Sequence, residues 1–196
     1  MKTPKAAWIF AGILLCTAMM PIAVSAQGRP DPAVLMAAQR EALAKLSILD
    51  GVWRGPASTT LPNGAKHVVT QTERVGPLLG GTVKVIEGRG YDSEGKTTFN
   101  AFAVISYNVS TKAYNFRSYA QGFSADFVYQ PTSDGFSWEI PAGPMTMRYN
   151  AVVKNGEWHE TGDRIEPGKP PLRFFEMTLM RVGDSDWPGA GAVGPK

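Results

Sequence analysis

The sequence contains little cysteine, little histidine and no large excess of either charge. Cys16 is the only cysteine among 196 residues, and it lies in an N-terminal segment that we predict is removed. A mature chain without cysteine has no disulfide framework, no thiolate nucleophile and no cysteine-based metal site. His67 and His159 are the only histidines. A dedicated zinc or copper site is therefore not expected, and we predict no metal.

Residues 1–26 are typical of a cleaved signal peptide. Lys2 and Lys5 form a positive n-region, residues 6–20 form an apolar run, and Val24-Ser25-Ala26 supplies the small residues of a cleavage site. We place cleavage after Ala26 and predict a periplasmic or secreted protein with no membrane attachment afterwards. A transmembrane anchor is the alternative, but it needs about 20 apolar residues.

Cleavage also removes most of the net positive charge. The formal net charge of +3 includes Lys2 and Lys5, and the segment carries no acidic residue, so the mature charge falls to +1. Nucleic-acid binding requires a concentrated basic face. We therefore predict no nucleic-acid partner, whereas the oligomeric state cannot be predicted.

The remaining chain divides into a short helical segment, a long strand-rich segment and a tail. Residues 27–50 contain a helical pattern over 32–46, with Asp31 as its N-cap and Pro32 at the first helical position. Residues 51–183 follow a period of two. Residues 184–196 are rich in Pro, Gly and Ala and are predicted to be a flexible tail.

The strand-rich segment predicts an all-β barrel. Its strand patterns cover residues 52–61, 66–75, 82–91, 97–107, 113–121, 123–130, 136–140, 145–154, 157–165 and 172–182. No helical pattern interrupts these roughly ten strands, which excludes parallel crossovers. Short sequential turns favour an antiparallel up-and-down barrel, which hides its edges by closure and can hold one small ligand.

Several short motifs resemble the calycin superfamily of lipocalin-like and fatty-acid-binding-like barrels. Gly51-Val52-Trp53 begins the first strand after the helix, and Met177-Thr178-Leu179-Met180-Arg181 lies in the last strand. With Gly80-Gly81 and Gly90-Tyr91-Asp92, these motifs are similar to bacterial DUF1579-type proteins of unknown function, which are related to nitrobindin-like haem barrels. The resemblance implies that the helix lies at a closed barrel end, where Trp53 is a plug and Arg181 packs across it.

The predicted ligand site consists of charged and aromatic residues in the later strands. A few charged groups among aromatic residues can orient a polar head group, and an arginine can clamp a carboxylate through two hydrogen bonds. We therefore predict an apolar or acidic-headed small molecule that is bound by Arg117, Tyr119, Trp138, Arg148 and Tyr149. Alternation also allows these arginines to face solvent, because a period of two does not say which face is inside. Arg54 and Glu73 are expected to be surface charges.

An enzyme acting at the barrel mouth is the first alternative. Glu139, Glu176, Tyr119, Tyr149 and His159 are chemically able to act as acid or base. However, no Gly-x-Ser-x-Gly, no His-Glu-x-x-His and no phosphate-binding glycine loop is present.

A haem protein is the second alternative, and it follows from the nitrobindin-like resemblance. His159 on a late strand would then be the axial ligand. His159 has the opposite strand parity to Trp158, so the two side chains are predicted to lie on opposite faces of the sheet. The binding function itself requires no cofactor.

Overall fold

A computed structural model describes residues 30–187 of the protein as a closed antiparallel barrel with a short helix packed against it. Helix α1 spans Pro32–Ala44, and single 3₁₀ turns follow at Ser47–Leu49 and Leu79–Gly81. The strands are β1 (Gly51–Thr60), β2 (Lys66–Leu78), β3 (Val83–Tyr91), β4 (Thr97–Asn108), β5 (Ala113–Ala120), β6 (Phe123–Pro131), β7 (Gly135–Ala142), β8 (Met145–Lys154), β9 (Glu157–Ile165) and β10 (Leu172–Gly183).

The strand order confirms the predicted fold class. Each strand pairs with the next one in sequence, and β1 closes the barrel by pairing with β10. Every pairing is antiparallel, so the sheet has no free edge strand within the described residues. The largest displacement of a strand end is in β2, which continues to Leu78, three residues beyond the predicted end at residue 75.

Local sequence explains one of the two-residue connections. Asn155 and Gly156 join β8 to β9 and both have positive φ, at 54° and 76°. Two successive positive φ values define the type I′ turn, whose twist matches that of the flanking strands. The Asn-Gly pair therefore fixes the register of two strands that line the barrel interior.

The helix covers one end of the barrel. The side chain of Asp31 accepts a hydrogen bond from the Ala33 amide at 2.9 Å, so it caps the helix as predicted. Leu43, Leu46 and Leu49 are at most 3% exposed and join the barrel core. This end is therefore closed by leucine side chains from outside the sheet.

Trp53 and a partly buried ion pair attach this cap to the barrel. The Trp53 indole Nε1 donates a hydrogen bond to the Leu49 carbonyl at 2.8 Å. Lys84, whose side chain is 3% exposed, forms an ion pair with Asp50. Breaking a buried pair leaves an uncompensated charge. The junction between the 3₁₀ turn and β1 is therefore fixed by both contacts.

The predicted signal peptide, residues 1–26, lies outside the described residues, as do residues 188–196 of the predicted tail. The beginning of that tail packs on the barrel exterior. Asp186 forms an ion pair with Arg74 at 2.8 Å, and the Arg74 guanidinium lies 4.3 Å from the centre of the Trp187 ring. Within residues 30–187, no helix is long and apolar enough to cross a membrane.

Candidate ligand-binding cavity

A cavity of about 530 Å³ occupies the barrel interior. It extends from Trp158, beside the closed end, to Thr59, His67 and Phe99 near the opposite strand ends. This volume lies within the usual range for small-molecule pockets. We call the end marked by Thr59, His67 and Phe99 the mouth.

The cavity wall is predominantly aromatic. The rings of Trp138 and Tyr149 lie parallel, with centroids 4.2 Å apart, and Phe116 meets Trp138 edge-on at 5.2 Å. Further aromatic rings border the same space: Phe99, Phe127, Tyr129, Phe136, Trp158, Phe174 and Phe175. These rigid rings give the cavity a large apolar surface with π faces.

Glu160 is a carboxyl group held inside this aromatic wall. Trp138 Nε1 donates a hydrogen bond to its Oε1, and Trp158 Nε1 donates to its Oε2, both at 3.1 Å. Burial raises the pKa of Glu160 to about 7, against the lowering effect of the two indole hydrogen bonds. The carboxyl is therefore fixed in position and titrates near neutrality.

Glu73 is a second carboxyl group in the same cavity. Gln71 Nε2 donates a hydrogen bond to Glu73 Oε1 at 2.7 Å. Glu73 lies over Gly88 of β3, where an added methyl group would come within 2.7 Å of Oε1. Glu73 is partly buried and lines the cavity. Burial raises the pKa of Glu73 to about 8, with the charge of Glu160 adding to that rise and the Gln71 hydrogen bond opposing it.

Tyr129 adds an unsatisfied hydroxyl group beside the cavity. The residue is 2% exposed, and its Oη has no hydrogen-bond partner within the described residues. Burial and the charge of Glu160 raise the pKa of Tyr129, so the hydroxyl keeps its proton. A buried donor without a partner costs about 1–3 kcal/mol. A polar atom of a ligand or a water molecule would remove that cost.

The charges in the cavity are unbalanced. Within residues 30–187, Glu73 and Glu160 take part in no ion pair with a lysine or an arginine. His67 is the basic residue that borders the cavity, and it lies at the mouth. The polar groups of the cavity are therefore mainly acidic rather than basic.

The predicted ligand-site residues divide between the two faces of the sheet. Trp138 and Tyr149 line the cavity. Arg117 and Tyr119 lie on the outer face, where Arg117 bonds to the Tyr119 hydroxyl at 3.0 Å and pairs with Asp126 at 2.7 Å. Arg148 also lies outside, and its partner is Glu139 at 2.6 Å. A head-group role for the two arginines does not fit this placement.

The predicted acid and base candidates also lie mainly outside. Glu139 pairs with Arg148 on the outer face, and the exposed Glu176 alternates with cavity-lining Phe175 and Met177. Among the five candidates, Tyr149 alone lines the cavity, and burial raises its pKa to about 12. Of the five acid and base candidates on which the enzyme hypothesis was based, the cavity therefore retains Tyr149 alone.

His159 does not fit the role of axial ligand to a haem inside the barrel. Its Nδ1 lies 3.0 Å from the Thr178 hydroxyl on β10. Its neighbours Trp158 and Glu160 both line the cavity, so alternation turns His159 to the outer face, as the predicted parity required. His67 is the histidine that borders the cavity.

The residues predicted at the closed end are close together. Trp53 pairs with Arg181 across β1 and β10, and it meets Trp158 edge-on at 5.8 Å. The Arg181 guanidinium donates to the Asp50 carbonyl at 3.3 Å, and Gly51 leaves room for it, since an added Cβ would lie 2.7 Å from Arg181 Nε. These contacts join the first strand, β1, to the last strand, β10.

Neither carboxyl group was among the residues predicted for the site. Glu73 was predicted to be a surface charge, and this prediction was wrong. The alternation of the strands carried a usable signal. Glu73 falls on the same strand face as His67, Val69 and Gln71, and Glu160 falls on the same face as Trp158.

Within the described residues, no group of three or more His, Cys, Asp or Glu side chains could hold a metal ion.

Fold and cavity together define a closed ten-stranded antiparallel β-barrel with an aromatic, carboxyl-containing lumen. It is similar to a solved structure described as the crystal structure of Rv2717c from M. tuberculosis, with a TM-score of 0.54 and 14% sequence identity. The alignment covers 72% of this chain and 97% of that chain. At this identity the similarity shows the fold alone. No protein-family model and no curated protein matches the chain.

Proposed function

We propose that the protein binds a small, largely apolar molecule inside its barrel. The observation that carries this proposal is the cavity of about 530 Å³, with its aromatic wall and few polar groups. Pockets of this size and composition bury most of the surface of a small organic ligand. The closed end, covered by the α1 segment, leaves the mouth near Phe99 as the side from which a ligand enters.

The proposed ligand is apolar rather than acidic-headed. An acidic head group would need a cation inside the cavity, but Arg117 and Arg148 pair with Asp126 and Glu139 on the outer face. The polar groups that it would meet are the carboxyls of Glu73 and Glu160. Like charges in a low-dielectric site repel strongly.

A neutral fluorophore tests this proposal. N-phenyl-1-naphthylamine gains fluorescence in apolar sites, and we expect saturable binding to the wild-type protein. Ala101→Trp should abolish it, because Ala101 lines the cavity and a large side chain there would fill the lumen. Val128→Trp is the matched control, since Val128 is 57% exposed on β6. Absence of saturable binding to the wild type, or equal binding by both folded variants, would contradict the proposal.

We also propose membership of the calycin superfamily, close to the DUF1579-type proteins. The support is the Gly51-Val52-Trp53 motif at the start of β1, together with Arg181 reaching from β10 to the Asp50 carbonyl. Homologous sequences that keep Gly51, Trp53 and Arg181 together would support this assignment. Independent loss of the three residues among close homologues would contradict it.

We further propose that the protein is exported to the periplasm or secreted after cleavage behind Ala26. The support is the sequence pattern of Lys2, Lys5, the apolar run and Val24-Ser25-Ala26. Mass spectrometry of the exported protein should find a chain that begins at Gln27. Retention of the full-length chain inside the cell would contradict export.

An enzyme is a second candidate, because two carboxyl groups in one cavity titrate near neutrality. The pKa of Glu160 is raised to about 7 and that of Glu73 to about 8. Such values suit general acid–base catalysis. This enzyme hypothesis places the reaction in the cavity interior, whereas the hypothesis from the sequence placed it at the barrel mouth. Turnover of a bound apolar ester that is lost in both Glu73→Gln and Glu160→Gln would favour it, and unchanged turnover would count against it.

A further inference from the structure

We propose that the polar end of the ligand is a protonated amine, which sits between the Glu73 and Glu160 carboxyls and the aromatic wall. This inference rests on the proposed ligand-binding function and adds the chemical class of the ligand. It concerns the part of the cavity beside the closed end, where Trp53 of β1 pairs with Glu73 of β2. No basic residue of the described chain neutralises these two carboxyls.

The hydrogen bonds already made by the carboxyls favour a cationic donor. Each Glu160 oxygen accepts one indole N–H, and Glu73 Oε1 accepts the Gln71 amide. These donors hold the carboxyl groups in place but bring no positive charge. An ammonium group has three N–H donors and one full charge. It can therefore bond to remaining lone pairs and offset the charge of both acids.

The aromatic wall adds a second attraction for a cation. Trp138, which donates to Glu160, packs against Tyr149 and Phe116, and all three rings line the cavity. Cations are attracted to the faces of such rings, and the attraction grows when the site excludes water. The unsatisfied hydroxyl of Tyr129 is a further polar group close to the same carboxyl. The carbon skeleton of an organic amine can thus pack against the apolar wall, while its nitrogen donates hydrogen bonds to the carboxyls.

A metal ion fits the same charges less well. Calcium takes six to eight oxygen ligands, and magnesium keeps several water molecules in an octahedron. The described residues contain no group of three or more acidic, histidine or cysteine side chains that could hold a metal. The cavity that contains the carboxyls is lined mainly by aromatic and aliphatic side chains rather than by oxygen ligands. An amine is therefore the cation that this cavity favours.

Three ligands with one carbon skeleton test the inference: 4-phenylbutylamine, 4-phenylbutan-1-ol and 4-phenylbutyrate. Titration calorimetry at about pH 8 should find the amine at least about tenfold tighter than the alcohol, with the carboxylate weakest. In Glu73→Gln the amine should lose at least about fivefold in affinity while the alcohol changes little. Glu176→Gln is the control, since it removes an exposed carboxyl on the outer face of β10.

The possible outcomes separate this inference from the proposed function. If the alcohol binds as tightly as the amine, or the carboxylate binds tightest, the amine inference is overturned while apolar ligand binding stands. If none of the three binds and the neutral fluorophore also fails, both are overturned. Should Glu73→Gln fail to fold, Glu160→Gln provides the same comparison, and retention of the full amine preference there would overturn the inference.

Discussion

Trp138 donates its indole N–H to Glu160 Oε1 at 3.1 Å, so one residue both forms the cavity wall and orients its carboxyl group. The same ring lies parallel to Tyr149 at a centroid distance of 4.2 Å. A hydrogen bond to the charged form of a carboxyl lowers its pKa, whereas burial raises it. The pKa of Glu160 on β9 therefore depends on Trp138 on β7, with β8 lying between the two strands.

Replacing Trp138 by phenylalanine should raise the pKa of Glu160 further. The variant keeps an aromatic ring in the wall but loses one of two donors to the carboxylate. A hydrogen bond to a charged group contributes about 1.5–3 kcal/mol, so the free energy of unfolding should fall more at high pH than at low pH. Carbon-13 NMR of labelled glutamate carboxyls measures the pKa directly.

Trp187→Phe is the control for that measurement. Trp187 packs on the outside of the barrel, where its indole donates to the Arg74 carbonyl at 3.3 Å. It should leave the Glu160 titration unchanged. A Trp138→Phe variant whose Glu160 pKa equals that of the wild type would contradict the described hydrogen bond.

The free energy of unfolding should fall as the pH rises from about 5 to about 9. The pKa values of Glu73 and Glu160 are raised from 4.5 to about 8 and about 7 in the folded state. Between the unfolded and folded pKa values the native protein holds more protons, so deprotonation favours unfolding. The stabilising contribution is complete below about pH 4.5 and is lost above about pH 8.

Glu73→Gln isolates this effect in urea unfolding across the same pH range. The free energy of unfolding of the variant should depend less on pH. Between about pH 5 and about pH 9 it should rise by more than about 1 kcal/mol relative to that of the wild type. Glu176→Gln changes the same charge on the outer face and should keep the wild-type slope. Equal slopes for Glu73→Gln and the wild type would show that Glu73 is not buried in the native protein.

Two glycine substitutions should differ sharply in their cost. A Cβ at Gly55 would lie 2.0 Å from the Thr178 backbone oxygen, whereas a Cβ at Gly88 would lie 2.7 Å from the end of the Glu73 side chain. Overpacking against backbone typically costs about 1–3 kcal/mol and occasionally more. Gly55→Ala should therefore lose about 3 kcal/mol in urea unfolding, and Gly88→Ala about 1 kcal/mol or less. The reverse order would contradict the packing between β1 and β10.

Haemin addition should produce no absorbance change that depends on His159. The imidazole of His159 lies outside the lumen and contacts Thr178. His159→Ala should therefore have the same Soret spectrum as the wild type. His67→Ala is the informative comparison, because His67 borders the cavity. A Soret shift lost only in His159→Ala would contradict the placement of β9.

The sequence predicted the barrel well because its signals are local. The period of two, the Asn155-Gly156 turn and the helix cap at Asp31 each act over a few residues, and their succession leaves an antiparallel meander. The end of β2 was missed because Gly76 and Pro77 are turn residues by propensity. Pairing of Gly76 with Val85 and of Pro77 with Lys84 overrides that preference.

The site was harder to predict because alternation gives a period but not a face. Arg117 and Arg148 lie next to aromatic residues in the sequence, but their own side chains point to the outer face of the sheet. Glu73 violates the rule that carboxyls lie on the surface. Trp53 points into the barrel and pairs with Glu73 across β1 and β2. With this one orientation known, Glu73 would have been assigned to the lumen.

Methionine methyl NMR tests the central claim most directly. Met177 lines the cavity and is 4% exposed, whereas Met180 is 51% exposed three residues later on the same strand. With labelled methionine methyl groups and saturating N-phenyl-1-naphthylamine, ligand binding in the lumen predicts intermolecular NOEs to Met177 and none to Met180. NOEs to Met180 alone, or no NOE to Met177 at saturation, would contradict it.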